Sequence, residues 1–85
     1  MTRIAKLYSQ LVIDRRRLTF SEFVRLIEAF DFRLYRTSGS HRIYVRIGIP
    51  DKVNVQPKGK DAKDYQVQQF LTIVMKHGLN LDTEE

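Results

Sequence analysis

The spacing of apolar residues in the first third of the chain predicts two amphipathic helices. Over residues 3–14, apolar side chains recur every three or four positions, as on one face of a helix: Ile4, Leu7, Tyr8, Leu11 and Val12. A second set follows over about residues 20–30: Phe20, Phe23, Val24, Ile27 and Phe30. Thr19 and Glu22 form the pattern of a capping box, which marks the start of this second helix. Asp31 stands where glycine is usual after a helix, and aspartate tolerates the left-handed backbone required there.

From Phe32 onward the apolar period changes from 3.6 to 2, which predicts strands. Three stretches alternate between apolar and polar residues: FRLYRT, HRIYVRI and KVNVQ. Turn-forming residues separate them at 38–40 and 48–51, so we expect an antiparallel meander. Polar residues then run over 58–64, and a last helix is marked by Val67, Phe70, Leu71, Val74 and Met75. Gly78 suits the position after this helix.

The order helix, helix, three strands, helix predicts an α+β fold in which helices cover one face of the sheet. On the middle strand, one set of alternating residues is His41, Ile43, Val45 and Ile47, and the other is Arg42, Tyr44 and Arg46. We expect the apolar set to face the helices and the second set to form a basic and aromatic open face. Such a face can pair with phosphates and stack on bases. The alternative is a solvated face that uses tyrosine for its preference for strands.

Length and composition restrict the class of protein. Eighty-five residues make one domain. The absence of cysteine excludes disulfides and thiol chemistry. No stretch approaches the ~20 apolar residues that span a bilayer, and MTRIAKLYSQLVID lacks the apolar core of a signal peptide. We therefore expect a cytoplasmic protein without a membrane partner.

The net charge of +5 is concentrated in one segment of the chain. Between residues 33 and 60 there is one acid, Asp51, against seven basic residues: Arg33, Arg36, Arg42, Arg46, Lys52, Lys58 and Lys60. A localised basic excess favours a polyanion-binding surface, with nucleic acid as the first candidate. Arg15, Arg16 and Arg17 are interpreted instead as a solvated helix end.

His41 is the candidate catalytic group. It opens the second strand directly after Ser-Gly-Ser, whose small side chains leave room for a bulky ligand. Its alternation with apolar residues favours a structural role, so the residues alone leave both interpretations open. The chain has no metal-ligand spacing and no phosphate-binding glycine motif, and we expect no metal and no cofactor. His77 is interpreted as a helix-end residue.

The stretch FSEFVRLIEAFDFRLYRTSGSHRIYV resembles the HicA (YcfA-like) family of small toxins, messenger-RNA interferases of bacterial HicAB toxin–antitoxin pairs. The family pattern is a helix ending near Gly-Phe, an arginine-bearing strand, and Gly-Ser-His-His before an apolar or aromatic pair. Downstream, VNVQPKGKDAKDYQVQQFLTIVMKHGL is similar to the family's third strand, basic loop and final helix. The resemblance spans roughly residues 19–79.

The resemblance implies a double-stranded-RNA-binding-domain-like fold of helix, three-stranded antiparallel sheet and helix, with an extra N-terminal helix. The implied division is an N-terminal helical extension at 1–18, the RNase domain at 19–80 and a frayed tail at 81–85. The extension is interpreted either as cover for the core or as a contact for another chain.

The resemblance also implies a ribonuclease that cleaves messenger RNA with His41 as its catalytic histidine. RNA contacts are expected from Ser40, Arg42, Tyr44, Arg46, Lys58 and Lys60. The implied partners are RNA and a HicB-type antitoxin, in a hetero-oligomer with the toxin. Three positions depart from the family pattern: Arg42 replaces the second histidine, Asp64 replaces the proline of Lys-Pro-Tyr, and Asp31 replaces glycine.

Three other hypotheses remain open from the sequence. The first is a non-catalytic RNA-binding module of the same fold. The second is an interaction protein whose basic sheet binds an acidic protein. The third is an inactive toxin that still binds its antitoxin, because Arg42 replaces the second motif histidine.

Overall fold

The computed structural model describes residues 3–81, which form three helices and a small sheet that the helices cover on one face. The helices are α1 (Arg3–Asp14), α2 (Phe20–Ala29) and α3 (Asp64–Lys76). The strands are β1 (Arg33–Ser38), β2 (His41–Arg46), β3 (Ile49–Val55), β4 (Pro57–Lys58) and β5 (Asp61–Ala62). A three-stranded antiparallel sheet between α2 and α3 confirms the predicted α+β, double-stranded-RNA-binding-like fold with an extra N-terminal helix. Most of the predicted frayed tail, residues 82–85, lies outside the described residues.

The start of α2 is fixed by the predicted capping box. The Glu22 backbone N–H donates to Thr19 Oγ1 at 3.1 Å, and the Thr19 backbone N–H donates to Glu22 Oε1 at 3.0 Å. Burial by itself raises the pKa of Glu22, but the Thr19 hydrogen bonds and the Arg16 guanidinium outweigh it and lower that pKa overall. The carboxylate therefore stays charged at neutral pH, where it also forms a 2.9 Å ion pair with Arg16.

Helices α2 and α3 end in the same backbone motif but with different residues. Asp31, at φ 69°, donates its N–H to the Glu28 carbonyl, and Phe32 donates to the Ile27 carbonyl. Gly78, at φ 60°, holds the equivalent position after α3. These are the two hydrogen bonds of a Schellman motif, which requires a left-handed residue. The predicted left-handed role of Asp31 is confirmed.

Replacing Asp31 with glycine is expected to stabilise the protein. A left-handed conformation costs a non-glycine residue ~1–2 kcal/mol, whereas the extra entropy of glycine costs ~0.5–1 kcal/mol. The Asp31–Arg33 ion pair that would be lost is long, at 3.7 Å, and exposed. We expect the free energy of unfolding in urea to rise by about 0.5 kcal/mol. Gly78→Asp is the matched control and should lower this free energy. A loss of stability in Asp31→Gly would show that the left-handed conformation is not strained at Asp31.

The core is built around one phenylalanine of α3. The ring of Phe70 meets three other rings edge-on, at 5.8 Å from Phe23, 5.5 Å from Phe30 and 5.7 Å from Phe32. From α1, Leu11 is buried and the Tyr8 ring lies 5.2 Å from that of Phe30. Helix α1 therefore supplies part of the core.

The sheet has the order β1-β2-β3, with β2 in the centre and the helices on one face. Directly opposed residues of antiparallel strands point to the same face. Tyr44 pairs with Val53 and Arg42 pairs with Val55, and the Tyr44, Val53 and Val55 side chains are buried. These residues mark the helix-covered face. The opposite, open face carries Arg33, Arg36, Ser38, His41, Ile43, Val45, Lys52 and Asn54.

A short hairpin, β4–β5, was not predicted from the sequence. It is attached to the start of α2, because the Phe20 N–H donates to the Lys60 carbonyl at 2.9 Å and the Ala62 N–H donates to the Leu18 carbonyl at 3.0 Å. On its other side, the buried Gln66 accepts a 2.8 Å hydrogen bond from the Gln56 backbone N–H. These bonds hold the hairpin against both α2 and α3.

The end of α3 is joined to β3 by a small charged cluster. His77 Nε2 lies 2.7 Å from Asp51 Oδ2, and Lys76 Nζ lies 3.4 Å from the same oxygen. The hydrogen bond from His77 is the main reason that the pKa of Asp51 is lowered, with Lys76 contributing. His77 is thus a helix-end residue, as predicted, and its partner is a β3 carboxylate.

Across residues 3–81, none of the helices has the length and apolar character needed to cross a membrane.

Candidate active site

His41 is the first residue of β2, and its position follows from the turn before it. Gly39, at φ 59°, and Ser40 form the two-residue connection between β1 and β2, so that Ser38 pairs directly with His41. The left-handed backbone at Gly39 suits this tight hairpin. The His41 side chain is exposed. Within residues 3–81, no side chain hydrogen-bonds to its imidazole, which leaves both ring nitrogens accessible to a ligand.

The predicted orientation of β2 is wrong. Tyr44 is only 2 % exposed and lies in the core. Arg46 is half-buried, and its Nη1 donates to the Phe30 carbonyl at 3.0 Å. Arg42 places its guanidinium 5.1 Å from the centre of the Phe20 ring. All three side chains are on the helix-covered face, whereas His41 and Ile43 are on the open face.

The physical reason lies in the neighbouring strand. On β2 both alternating sets contain large apolar groups, so that strand alone does not decide its buried face. On β3 the choice is clear, because Val53 and Val55 alternate with Lys52 and Asn54. Register then aligns Tyr44 with Val53 and so places its ring in the core. Tyr44 is therefore not available to stack on RNA, and the guanidinium of Arg46 is used to hold the end of α2.

Tyr35, which was not among the residues expected to bind RNA, forms the aromatic part of the open face, next to Lys52 of the predicted basic segment. Tyr35 on β1 is 63 % exposed, and Lys52 Nζ lies 5.8 Å from the centre of its ring. Tyr35 falls at a β-bulge, where the register shifts between Leu34 and Arg36. Because a bulge changes the alternation of side chains, counting residues along β1 could not place this ring.

The basic hairpin lies at the same end of the sheet as His41. Arg42 pairs with Val55 at the end of β3, and β4 begins two residues later. Lys58 and Lys60 on the hairpin are exposed. The backbone bond between Phe20 and Lys60 brings the hairpin to the ring on which Arg42 lies. The structure thus gathers Ser40, His41, Arg42, Lys58 and Lys60 at one end of the sheet.

Next to the hairpin is a groove of about 620 Å³ between the α1–α2 connection and the start of α3. Its lining is mixed in charge, with Arg17, Lys58 and Lys63 as cations and Asp61 and Asp64 as anions. The 3.9 Å ion pair between Arg17 and Asp64 crosses it.

In residues 3–81, no cluster of three or more histidine, aspartate or glutamate side chains is arranged to hold a metal ion.

Comparison with known proteins gives one result. The model of the family described as HicA toxin of bacterial toxin–antitoxin systems matches residues 20–77, from the first residue of α2 to the residue after α3. No curated protein and no solved structure matches the chain. The matched segment contains the three-stranded sheet, the Ser-Gly-Ser-His turn and the basic hairpin. Because this match covers more than half of the sequence, the chain belongs to the HicA toxin family.

Proposed function

We propose that this protein is the toxin of a toxin–antitoxin pair and acts as an endoribonuclease on messenger RNA. The observation that carries the proposal is the position of His41, an exposed histidine at the start of a central strand and at the basic end of the sheet. Histidine has an ordinary pKa of ~6.5 and exchanges protons near neutral pH. The exposed Lys58 and Lys60 of the hairpin at the same end of the sheet suit a polyanionic substrate.

The proposed reaction uses the nucleophile that RNA itself carries. Neutral His41 takes the proton of a 2′-hydroxyl, and the 2′-oxygen forms a bond to the adjacent phosphorus. The bond from that phosphorus to the 5′-oxygen of the next nucleotide breaks. The departing 5′-oxygen takes a proton from water or a lysine. The products are a 2′,3′-cyclic phosphate and a 5′-hydroxyl.

The neighbouring side chains have electrostatic and positioning roles in this proposal. Negative charge that develops on the phosphoryl oxygens is met by cations, for which the candidates are Lys58 and Lys60. Arg42, expected from the sequence to join them, has its guanidinium against Phe20 on the helix-covered face. The Ser40 hydroxyl, directly before His41, donates to a phosphate oxygen. A HicB-type antitoxin with an acidic surface covers the same end of the sheet and blocks access to His41.

The experiment that tests the function is incubation of the purified chain with a defined messenger RNA, followed by analysis of the new ends. Fragments with 2′,3′-cyclic phosphate and 5′-hydroxyl ends support the proposal. Fragments with 5′-phosphate ends, or no fragments at all, overturn the mechanism.

One observation favours a second candidate function. Arg42 stands where the family pattern has a second histidine, and its guanidinium lies against Phe20. A chain that lost a required histidine here binds RNA without cleaving it. In that case RNA binding remains salt-dependent while no fragments appear.

Removing the two hairpin lysines is expected to weaken RNA binding and to make it less dependent on salt concentration. Each lysine that neutralises a phosphate of single-stranded RNA adds about 0.7 to the slope of log K against log salt concentration. Lys58→Gln with Lys60→Gln should therefore reduce that slope by about 1.4. Replacing the exposed residues Arg3 and Lys6 of α1 makes the same change in charge and serves as the control. Equal slopes for the two double variants contradict a specific role of the hairpin.

A further inference from the structure

The open face of the sheet presents one exposed aromatic ring together with several basic side chains. Tyr35 is 63 % exposed to solvent, and Lys52 Nζ lies 5.8 Å from the centre of its ring. Lys52 lies next to the buried Val53 on β3 and so points away from the helices, which places the Tyr35 ring on the open face as well. Arg36, exposed on β1, pairs with Ile43 and shares that face.

The charge of this face is complementary to a polyanion. The register assigns it no acidic side chain within residues 33–55, since Asp51 turns toward α3 and bonds to His77. Lys52 and Arg36 lie on opposite outer strands, with β2 between them. The half-buried Ile43 and Val45 form an apolar floor between these cations. Phosphates can therefore pair with cations on either side of this floor.

His41 is on the same face. Tyr35 lies opposite β2 between Ile43 and Tyr44, two to three residues from His41 along the strand. At ~3.3 Å per residue along a strand and ~4.8 Å between strands, this separation is roughly 10 Å. A nucleotide held at Tyr35 is thus close in the RNA chain to one held at His41.

We infer that the open face binds single-stranded RNA beside the cut, with an unpaired base stacked on Tyr35 and flanking phosphates paired with Lys52 and Arg36. This inference rests on the proposed function and adds the strandedness of the substrate and the residues that select it. An exposed ring on a sheet stacks only on a base that is free of a duplex, because paired bases are already stacked. Lys52 beside the ring contributes a cation to the same nucleotide. Tyr35 takes the stacking role that the sequence assigned to Tyr44.

The test is a binding measurement that does not depend on cleavage. A fluorescent, unpaired RNA of about 12 nucleotides with 2′-O-methyl groups throughout has no free 2′-hydroxyl, and single-stranded sites are of this size. When the ring that stacks on a base is removed, affinity is expected to fall by about 5- to 150-fold. Tyr35→Ala should show that loss, and Tyr35→Phe should bind as the unaltered chain does. Met75→Ala removes another exposed apolar side chain, on α3, and should have no effect.

Two further arms separate stacking from other contacts. If Tyr35 stacks on a base, an RNA with abasic sites should bind Tyr35→Ala and the unaltered chain equally, and so should a duplex of the same sequence. Loss of affinity in Tyr35→Ala supports the inference even where no cleavage is found, so the two proposals can fail separately. Unchanged RNA affinity in Tyr35→Ala overturns it. The inference is also overturned if the variant loses only its binding to an acidic protein, because the face is then a protein interface.

Discussion

His41→Ala is expected to reduce RNA cleavage by about 100- to 10,000-fold, the usual contribution of a positioned general acid or base. The physical reason is that, in the proposed reaction, the 2′-hydroxyl loses its proton to this imidazole. The side chain is exposed, and among the described residues nothing bonds to it, so its removal should leave the free energy of unfolding within ~0.5 kcal/mol of the original. The measurement is the rate of fragment formation, together with urea unfolding and binding of uncleavable RNA.

The chain offers a matched control for this prediction. His77, the second of its two histidines, bonds to Asp51 at 2.7 Å at the other end of β3. His77→Ala should reduce stability through the lost Asp51 bond and leave cleavage by the folded protein unchanged. The catalytic assignment is wrong if the two histidine variants cleave RNA equally well, or if His41→Ala stops cleavage only by unfolding the protein.

Phe70→Ala is expected to cause a large loss of stability. Truncating a buried phenylalanine costs ~3–5 kcal/mol, and total stabilities of small domains are ~5–15 kcal/mol. The Phe70 ring contacts Phe23 in α2, Phe30 at the C-cap of α2 and Phe32 directly before β1. Its removal therefore opens one cavity between three parts of the fold. Urea unfolding should show a much lower midpoint, or a chain already unfolded at room temperature.

The control for this prediction lies on the same helix. Met75 is 80 % exposed, and Met75→Ala should change the free energy of unfolding by no more than ~0.5 kcal/mol. Phe70→Ala should also abolish RNA cleavage when the protein is unfolded, although Phe70 lies in the core and not at the site. A Phe70→Ala variant that unfolds at the same urea concentration as Met75→Ala contradicts the assignment of the core.

The helices could be predicted from the sequence because their signals are local. Thr19 and Glu22 contact each other within one turn, and the predicted capping box is present with both of its hydrogen bonds. Asp31 was correctly predicted to adopt the left-handed conformation because its role depends only on the helix before it. Apolar spacing likewise placed α1 at residues 3–14, the bounds that the structure gives.

The faces of the sheet could not be predicted in the same way because they depend on pairing between strands. Read alone, β2 suggested that Tyr44 faces solvent, and only its pairing with Val53 places the ring in the core. The bulge in β1 hid Tyr35, since alternation is lost at the residue where it occurs. The hairpin β4–β5 is two residues per strand, too short for a period to appear, and is held by backbone bonds to α2.

The position of His41 illustrates both cases. Its place as the first residue of β2 was predicted from the Ser-Gly-Ser turn, and the structure confirms it. The face of the sheet on which His41 lies was predicted wrongly, because His41 alternates with Ile43 and Val45 and that set was expected to face the core. The structure directs that whole set to the open face, where the His41 side chain is exposed to solvent.

In the proposed reaction, the substrate's own 2′-hydroxyl attacks the phosphate with His41 as the base. The most direct test uses two RNAs that differ by a single 2′-deoxy nucleotide on the 5′ side of the cut bond. We expect the purified chain to cleave the all-ribose strand at this bond and to leave the bond intact in the strand with the deoxy nucleotide. Cleavage of both strands at the same rate would contradict this mechanism, because another nucleophile would then be at work.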